Sequence, residues 1–219
     1  MKISQSSEFR EKWASFSGAY LLADVVNRPT PSGLWDEILQ ASRTLCADYT
    51  PDSIKERSGI AATRAAYRAC GKDPSRYRPA CEQLARRVLQ GKSLYSVNAL
   101  VDLGNLVSLF SGYATGLLDA DRVVGDVQLG VGHSGEPYEG IGRGVLNIEG
   151  LPVYRDEEGP IATPTSDSTR TMLGMNTRRL LFIINAYDGD EQNIQATIAY
   201  ANDLLKHYAE SKNVEIYRF

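Results

Sequence analysis

The stretch NALVDLGNLVSL, residues 98–109, has the apolar content of a buried helix but carries three regularly spaced polar side chains. Asn98, Asp102 and Asn105 stand at positions i, i+4 and i+7, so a helix places them on one face. Because unpaired buried polar groups are costly, this face either holds the fold together or lines a site. Asn98 is early enough to cap the helix, and Asp102 suits a buried carboxylate that accepts bonds from the backbone. Asn105 is predicted to face a ligand, for which the adjacent Gly104 leaves room.

Helical patterns dominate the residues before Gly112, and β-favouring residues dominate those after it. We expect helices over residues 7–16, 32–49, 60–70, about 79–91 and 97–111, with one early strand over residues 18–26. After Gly112 the segments are short and bounded by glycine, and DEEG (156–159) is typical of a hairpin turn. A final helix over about 191–210 precedes a C-terminal strand. This pattern predicts an α+β (mixed α/β) fold with helices packed on a mixed sheet.

The overall composition is that of a globular protein. The chain has 219 residues, of which 42% are hydrophobic and 23% charged, and we expect a single domain over residues 1–219. No apolar run is long enough to cross a membrane, and the N-terminus lacks the apolar core of a signal peptide. The sequence therefore predicts a cytoplasmic protein without a membrane partner.

The cysteines and histidines argue against a metal centre. The three cysteines show no C-x-x-C spacing, and there are only two histidines, so we expect no metal and no cofactor. Cys81 lies on the apolar face of its helix and is predicted to be a buried structural thiol. His133 lies in a glycine-rich segment typical of a surface turn, and His207 is expected on the surface near a helix C-terminus.

Positive charge is concentrated in one segment although the chain carries a net charge of −3. Residues 68–92 contain seven basic residues and only two acidic ones. Such a segment is either an ordinary solvated face or a patch that contacts phosphates. The acidic balance elsewhere gives no indication of general nucleic-acid binding, and no DNA partner is predicted.

A second polar cluster follows the predicted hairpin. The segment TPTSDSTRT (163–171) groups hydroxyl side chains with Asp167 and Arg170. Alone, such a segment is typical of a polar loop. Together with the polar face of residues 98–109, it favours a shared pocket, because binding sites combine apolar walls with a few convergent polar groups.

Three segments together resemble a known family. They are RYRPACEQLARRVLQGK (76–92), NALVDLGNLVSL (98–109) and DSTRTMLGMNTRRLLFII (167–184). In this order they resemble the tRNA-binding and editing region, the third and fourth domains, of the bacterial phenylalanyl-tRNA synthetase β subunit, and more closely its free-standing relatives. The resemblance covers about residues 60–190. The matching residues are Arg78, Pro79, Glu82, Arg87, Asn98, Asp102, Asn105, Asp167, Ser168, Arg170, Thr171, Asn176 and Thr177.

The resemblance implies a mixed α+β fold and a pocket that, in the synthetase, hydrolyses tyrosine wrongly attached to its tRNA. The side chains that select tyrosine are replaced here, since Gly116 stands where the synthetase has a histidine, Gly104 where it has a threonine and Thr169 where it has a glutamate. We assign catalytic roles to Ser168, Thr171 and Asn105. The predicted substrate-binding residues are Asn98, Asp102, Asp167, Thr169, Arg170, Gly104 and Gly116. The predicted tRNA-binding residues are Arg78, Arg86 and Lys92.

Three hypotheses about function follow. The first is a trans-acting editing protein that hydrolyses the ester of a mischarged tRNA, with tRNA and its aminoacyl moiety as partners and without the means to charge tRNA itself. Here Ser168 and Thr171 orient water or substrate, and Arg170 contacts a carboxylate or phosphate or pairs with Asp167. The second is a non-catalytic module that binds tRNA or an amino acid. The third is a small-molecule pocket unrelated to tRNA.

Overall fold

The computed structural model describes all 219 residues. The N-terminal half contains two strands and five helices: β1 (Ile3–Gln5), α1 (Ser7–Lys12), β2 (Ser17–Asp24), α2 (Ser32–Asp48), α3 (Ser58–Ala69), α4 (Ala80–Leu89) and α5 (Ala99–Ser111). The C-terminal half is mainly β: β3 (Ala114–Asp119), β4 (Val127–Val131), β5 (Glu139–Gly140), β6 (Gly144–Val145), β7 (Pro152–Asp156), β8 (Gly159–Thr163), β9 (Ser166–Asp167), β10 (Arg179–Ala186), α6 (Glu191–Ala209) and β11 (Lys212–Arg218). None of these helices combines the length and the hydropathy needed to span a membrane.

The strands form two main sheets. A central antiparallel sheet has the order β11-β2-β10-β3, so β3 is one of its edges. A second sheet has the order β1-β4-β7-β8-β9 and is mixed, because β1 pairs with β4 in parallel while the other pairs are antiparallel. Strands β5 and β6 form a separate short hairpin. The α+β fold with a mixed sheet and packed helices is confirmed.

The inner strands of the central sheet are buried on both faces, and β10 shows why, whereas the edge strand β11 is mostly exposed. Its sequence RLLFIINA is almost uninterrupted in apolar residues, and successive side chains point to opposite faces. Leu180, Phe182 and Ile184 belong to the larger core, which the helices α2, α4, α5 and α6 complete. Leu181 and Ile183 belong to a second core, which contains residues of α1 and the second sheet. The molecule therefore has three layers: helices, central sheet and second sheet.

Most predicted elements are confirmed within one to three residues. Helix α5 begins after Asn98, whose side chain accepts a hydrogen bond from the Val101 N–H at 3.0 Å, and ends at Gly112 with φ of +79°. The hairpin of β7 and β8 turns at residues 157–158 as expected. The helix predicted over residues 7–16 is shorter, since α1 ends at Lys12. Phe16 lies beyond the helix, but its ring still packs on that of Phe9, with centroids 5.3 Å apart.

Candidate functional site

A cavity of about 710 Å³ lies at the β3 edge of the central sheet. Helices α4 and α5 form one side, and β3, β9 and the loops around residues 141–143 and 172–173 form the other. Apolar side chains line part of the wall: Leu84, Val97, Val101, Leu117, Ile141, Met172 and Leu173. Uncharged polar side chains and one acid line a second part: Asn98, Asn105, Thr115, Ser166 and Asp167. Five cationic side chains also reach it: Arg78, Arg86, Arg87, Lys92 and Arg143.

The cations of α4 are supported by a buried carboxylate. Glu82 is fully buried on α4 and accepts hydrogen bonds from Arg64 Nη1 and Arg86 Nε, both at 2.8 Å. Arg86 also donates through Nη1 to the carbonyl of Pro51 at 2.6 Å. Arg86, predicted to bind tRNA, therefore has its guanidinium held by the protein. The charged groups of Arg78 and Lys92 can reach a ligand. The side chain of Arg78 is 48% exposed, and Lys92 is also exposed.

Arg87 and Tyr95 form a flat pair near the cavity, with the guanidinium group over the aromatic ring. The sequence patterns do not indicate this pair. Arg87 donates through Nε to the carbonyl of Ser93 at 2.7 Å, and its guanidinium lies 4.2 Å from the centroid of the Tyr95 ring. Tyr95 is 72% exposed. Cation–π contacts of this kind fix a guanidinium over an aromatic face, so an exposed, ordered planar surface lies beside the cavity.

The polar face of α5 divides between structure and cavity. Asp102 is fully buried and accepts hydrogen bonds from Ser96 Oγ at 2.9 Å and the Val97 N–H at 3.2 Å, and also from Thr30. It is the buried, backbone-facing carboxylate expected from the sequence. A substrate-binding residue would have to line the cavity, and Asp102 does not. Asn98 caps the helix and also borders the cavity, whereas Asn105 is half-buried on the wall.

The close approach of α5 to β3 depends on Gly104. A Cβ atom at this position would lie 2.3 Å from Leu117 Cδ1, closer than real carbon atoms come. The sequence analysis predicts room for a ligand beside Gly104, but Leu117 largely fills that space. Gly104 still borders the cavity, but its main effect is to let helix and strand pack closely.

Asp167 is the one acidic side chain on the cavity wall. Its Oδ2 accepts a hydrogen bond from the Leu117 N–H at 3.2 Å. Its Oδ1 would lie 3.3 Å from a Cβ placed at Gly116, so the absence of a side chain there gives the carboxyl its room. Burial raises the pKa of Asp167 to about 7, although the Leu117 N–H opposes that rise. The carboxyl is thus poised to change protonation near neutral pH.

The four residues that follow Asp167 turn away from the cavity wall. Their positions therefore do not agree with the catalytic and substrate-binding roles predicted for them. Ser168 is buried and its Oγ accepts from the Arg170 N–H at 3.3 Å, while the fully buried Thr171 donates to the Ile161 carbonyl at 3.3 Å. Arg170 pairs with Asp156 at 2.6 Å and not with Asp167. The cavity wall includes none of these four residues, Ser168, Thr169, Arg170 and Thr171. These residues brace the turn that presents Asp167.

The remaining candidate nucleophiles and bases lie elsewhere. Cys81 is buried, and burial raises the pKa of its thiol to about 12, which favours the inert protonated form. His133 is exposed in the connection between β4 and β5, and His207 is exposed in the last turn of α6. No group of three or more His, Cys, Asp or Glu side chains is placed to hold a metal ion.

Several cavity residues were missed by the sequence patterns. Thr115 and Leu117 come from β3, and Arg143 comes from the loop between β5 and β6. Ser166 lies inside the polar segment 163–171 and was detectable as part of it. Thr115 and Leu117 have no local signal, because the pairing of β3 with β10 and the approach of α5 bring them to the wall. Arg143 is placed by the separate β5–β6 hairpin.

Comparison with known proteins gives three findings. A model of the B3/4 domain matches residues 62–210. Over 121 residues, 54% of the chain, the sequence is 31% identical to the phenylalanine–tRNA ligase β subunit of Bartonella henselae, and the match covers 15% of that subunit. The structure is also similar to an N-terminal fragment of the phenylalanyl-tRNA synthetase β subunit from Pyrococcus horikoshii. That similarity has a TM-score of 0.52 at 10% identity and covers 97% of this chain and 50% of the fragment.

Proposed function

Because the chain belongs to the B3/4 domain family, we propose that it binds the acceptor end of a charged tRNA and hydrolyses the aminoacyl ester in trans. Its relationship to the synthetase β subunit supports a tRNA-related function. The chain corresponds to only a small part of that subunit's length, so the hydrolytic activity and the identity of the mischarged amino acid belong to the proposal. We propose further that residues 1–219 act as one domain.

The observation that carries this proposal is the composition of the cavity wall. Arg78 and Lys92 offer exposed positive charges to phosphates, which supply most of the affinity of proteins for nucleic acids. The flat pair of Arg87 and Tyr95 beside them suits an unpaired base, because single-stranded ends are bound by stacking. The volume of about 710 Å³ is within the range of small-ligand sites.

Ester hydrolysis in such a cavity needs few protein groups. An aminoacyl ester is activated, and the ribose hydroxyl next to it can assist in proton transfer. The protein must orient a water molecule and stabilise the negative charge that develops on the carbonyl oxygen. We assign the carbonyl contact to the side-chain amide of Asn105, which lines the wall. Asn98 and Gly104 border that wall, whereas Gly116 does not line it and instead leaves room for the Asp167 carboxyl.

A second candidate function is binding without turnover. No histidine lines the cavity, and the sequence resemblance implies that Gly116 stands where the synthetase has its editing histidine. A module that only holds tRNA or an aminoacyl group needs no proton shuttle, so the lack of a histidine on the wall favours this function over hydrolysis.

Purified protein tested against a panel of tRNAs, each charged with a different amino acid, separates these functions. Deacylation of at least one tRNA above the rate without protein supports hydrolysis, and Asn105→Ala should reduce it. His133→Ala serves as the control, since His133 lies outside the cavity, and it should keep the parent rate. Saturable tRNA binding without turnover supports the second function. Neither binding nor turnover with any tRNA rejects both.

A further inference from the structure

The charged side chains of the cavity differ in their exposure to solvent. Among the charged side chains on its wall, the exposed ones are cations, namely Arg78, Lys92 and Arg143. The single acid, Asp167, is half-buried on the wall. A ligand that fits this pattern carries a positive group at one end, which enters the cavity, and a negative group at the other, which stays near the mouth.

The Asp167 carboxyl has no cationic partner in the protein. None of the ion pairs of the structure includes Asp167, although the cavity wall carries five cations. One oxygen accepts the Leu117 N–H, and the other faces the space that Gly116 leaves open. A half-buried carboxylate without a counter-ion is less well solvated than an exposed one, so an arriving cation gains more here than at an exposed acid.

Part of the cavity wall is apolar. Leu84, Val101, Leu117 and Leu173 contribute hydrocarbon surface to the same cavity as Asp167. This hydrocarbon part of the wall stabilises an apolar side chain. An α-amino acid with an apolar side chain, esterified to a nucleotide, has all three features: an ammonium group, a hydrocarbon group and a distal phosphate.

We propose that Asp167 is a specificity-determining residue that receives the free α-ammonium group of an aminoacyl ester whose side chain is apolar. This inference rests on the proposed function and deepens it. N-acylated esters, such as those of peptidyl-tRNA or formylated tRNA, have no ammonium group and would be rejected. The protein would thereby act on newly charged tRNA and spare tRNA that carries a growing chain.

The test uses three non-hydrolysable ligands built on 3′-amino-3′-deoxyadenosine 5′-phosphate. The first carries leucine through an amide bond, the second carries N-acetylleucine, and the third carries the leucine acyl group with hydrogen in place of the amine. Calorimetric titration of the parent protein at neutral pH should give affinity for the first that is about tenfold or more above the other two. The third ligand is smaller than the first, so its weak binding cannot arise from steric exclusion.

The matched variants are Asp167→Asn and Asp121→Asn. Asp167→Asn keeps an oxygen that can accept the Leu117 N–H, and a thermal melt establishes that it is folded. It should bind the three ligands with similar affinities. Asp121 is exposed and outside the cavity, so Asp121→Asn should keep the parent preference.

The outcomes separate the two proposals. Equal affinity of the parent for all three ligands overturns the role of Asp167 and leaves tRNA binding standing. A preference for the amine that persists in folded Asp167→Asn also overturns it. If the parent binds none of the three ligands and no charged or uncharged tRNA, the proposed function itself fails. The comparison of ligands on the parent requires no variant, so it decides even if Asp167→Asn does not fold.

Discussion

At the scale of single residues, the protonation of Asp167 should be visible in the pH dependence of stability. Burial raises its pKa from the ordinary value near 4 to about 7, so the folded state binds a proton that the unfolded state has released. The contribution of Asp167 to stability is therefore fully present below about pH 4 and is lost progressively as the pH rises to about 7. Asp167→Asn should gain stability relative to the parent across this window. Urea denaturation at a series of pH values measures it, with Asp121→Asn as control; a constant difference would contradict the assignment.

Asp102 and Asn105 should respond differently to the same truncation, although they lie one turn apart. Asp102→Ala removes the acceptor of the Ser96 hydroxyl and the Val97 N–H, and we expect a loss of about 1–3 kcal/mol in the free energy of unfolding. Asn105→Ala should keep most of the stability and lower ligand binding or turnover, because its side chain lines the cavity. Thermal melts and deacylation assays on both variants check this. An Asp102→Ala protein that melts like the parent, with an unfolded Asn105→Ala, would reverse the two roles.

At the scale of the element, α4 and the loop after it carry cations with two different functions. Lys92→Ala should leave stability unchanged within about 0.5 kcal/mol, weaken tRNA binding and reduce its salt dependence by about one phosphate contact. Arg86→Ala should instead cost about 1–3 kcal/mol of stability, because Arg86 pairs with the buried Glu82 and donates to the Pro51 carbonyl. Filter binding over a range of salt concentrations and thermal melts distinguish them. An unchanged salt slope in Lys92→Ala would mean that Lys92 makes no phosphate contact.

At the scale of the whole molecule, the three-layer arrangement predicts that neighbouring residues of β10 are equally intolerant. Ile184 faces the helices and Ile183 faces the second sheet, and both are fully buried. Ile183→Ala and Ile184→Ala should each lower the free energy of unfolding by about 2–5 kcal/mol, whereas Arg179→Ala at the exposed start of the strand should change it by less than about 0.5 kcal/mol. Chemical denaturation measures all three. Tolerance at either isoleucine would mean that one face of the sheet is not a packed core.

Several features of this protein follow from signals only a few positions long in the sequence. Three such features were predicted correctly: the Asn98 cap, the end of α5 at Gly112 and the hairpin at residues 156–159. They depend on capping, on glycine at positive φ and on turn chemistry, and each of these involves residues only a few positions apart. The family was readable too, since its motifs are ordered along the chain. Local signals also detected the polar segment 163–171.

Tertiary structure alone decided which members of that segment face the cavity. Asp167 lines it while Ser168 and Thr171 bond to the turn and to the Ile161 carbonyl, because β9, paired with β8, ends at Asp167 and the chain then turns. The room for the Asp167 carboxyl comes from Gly116, some 50 residues earlier, on an edge strand placed by β10. Contacts between distant segments depend on strand register and packing of the whole chain, and no local pattern encodes them.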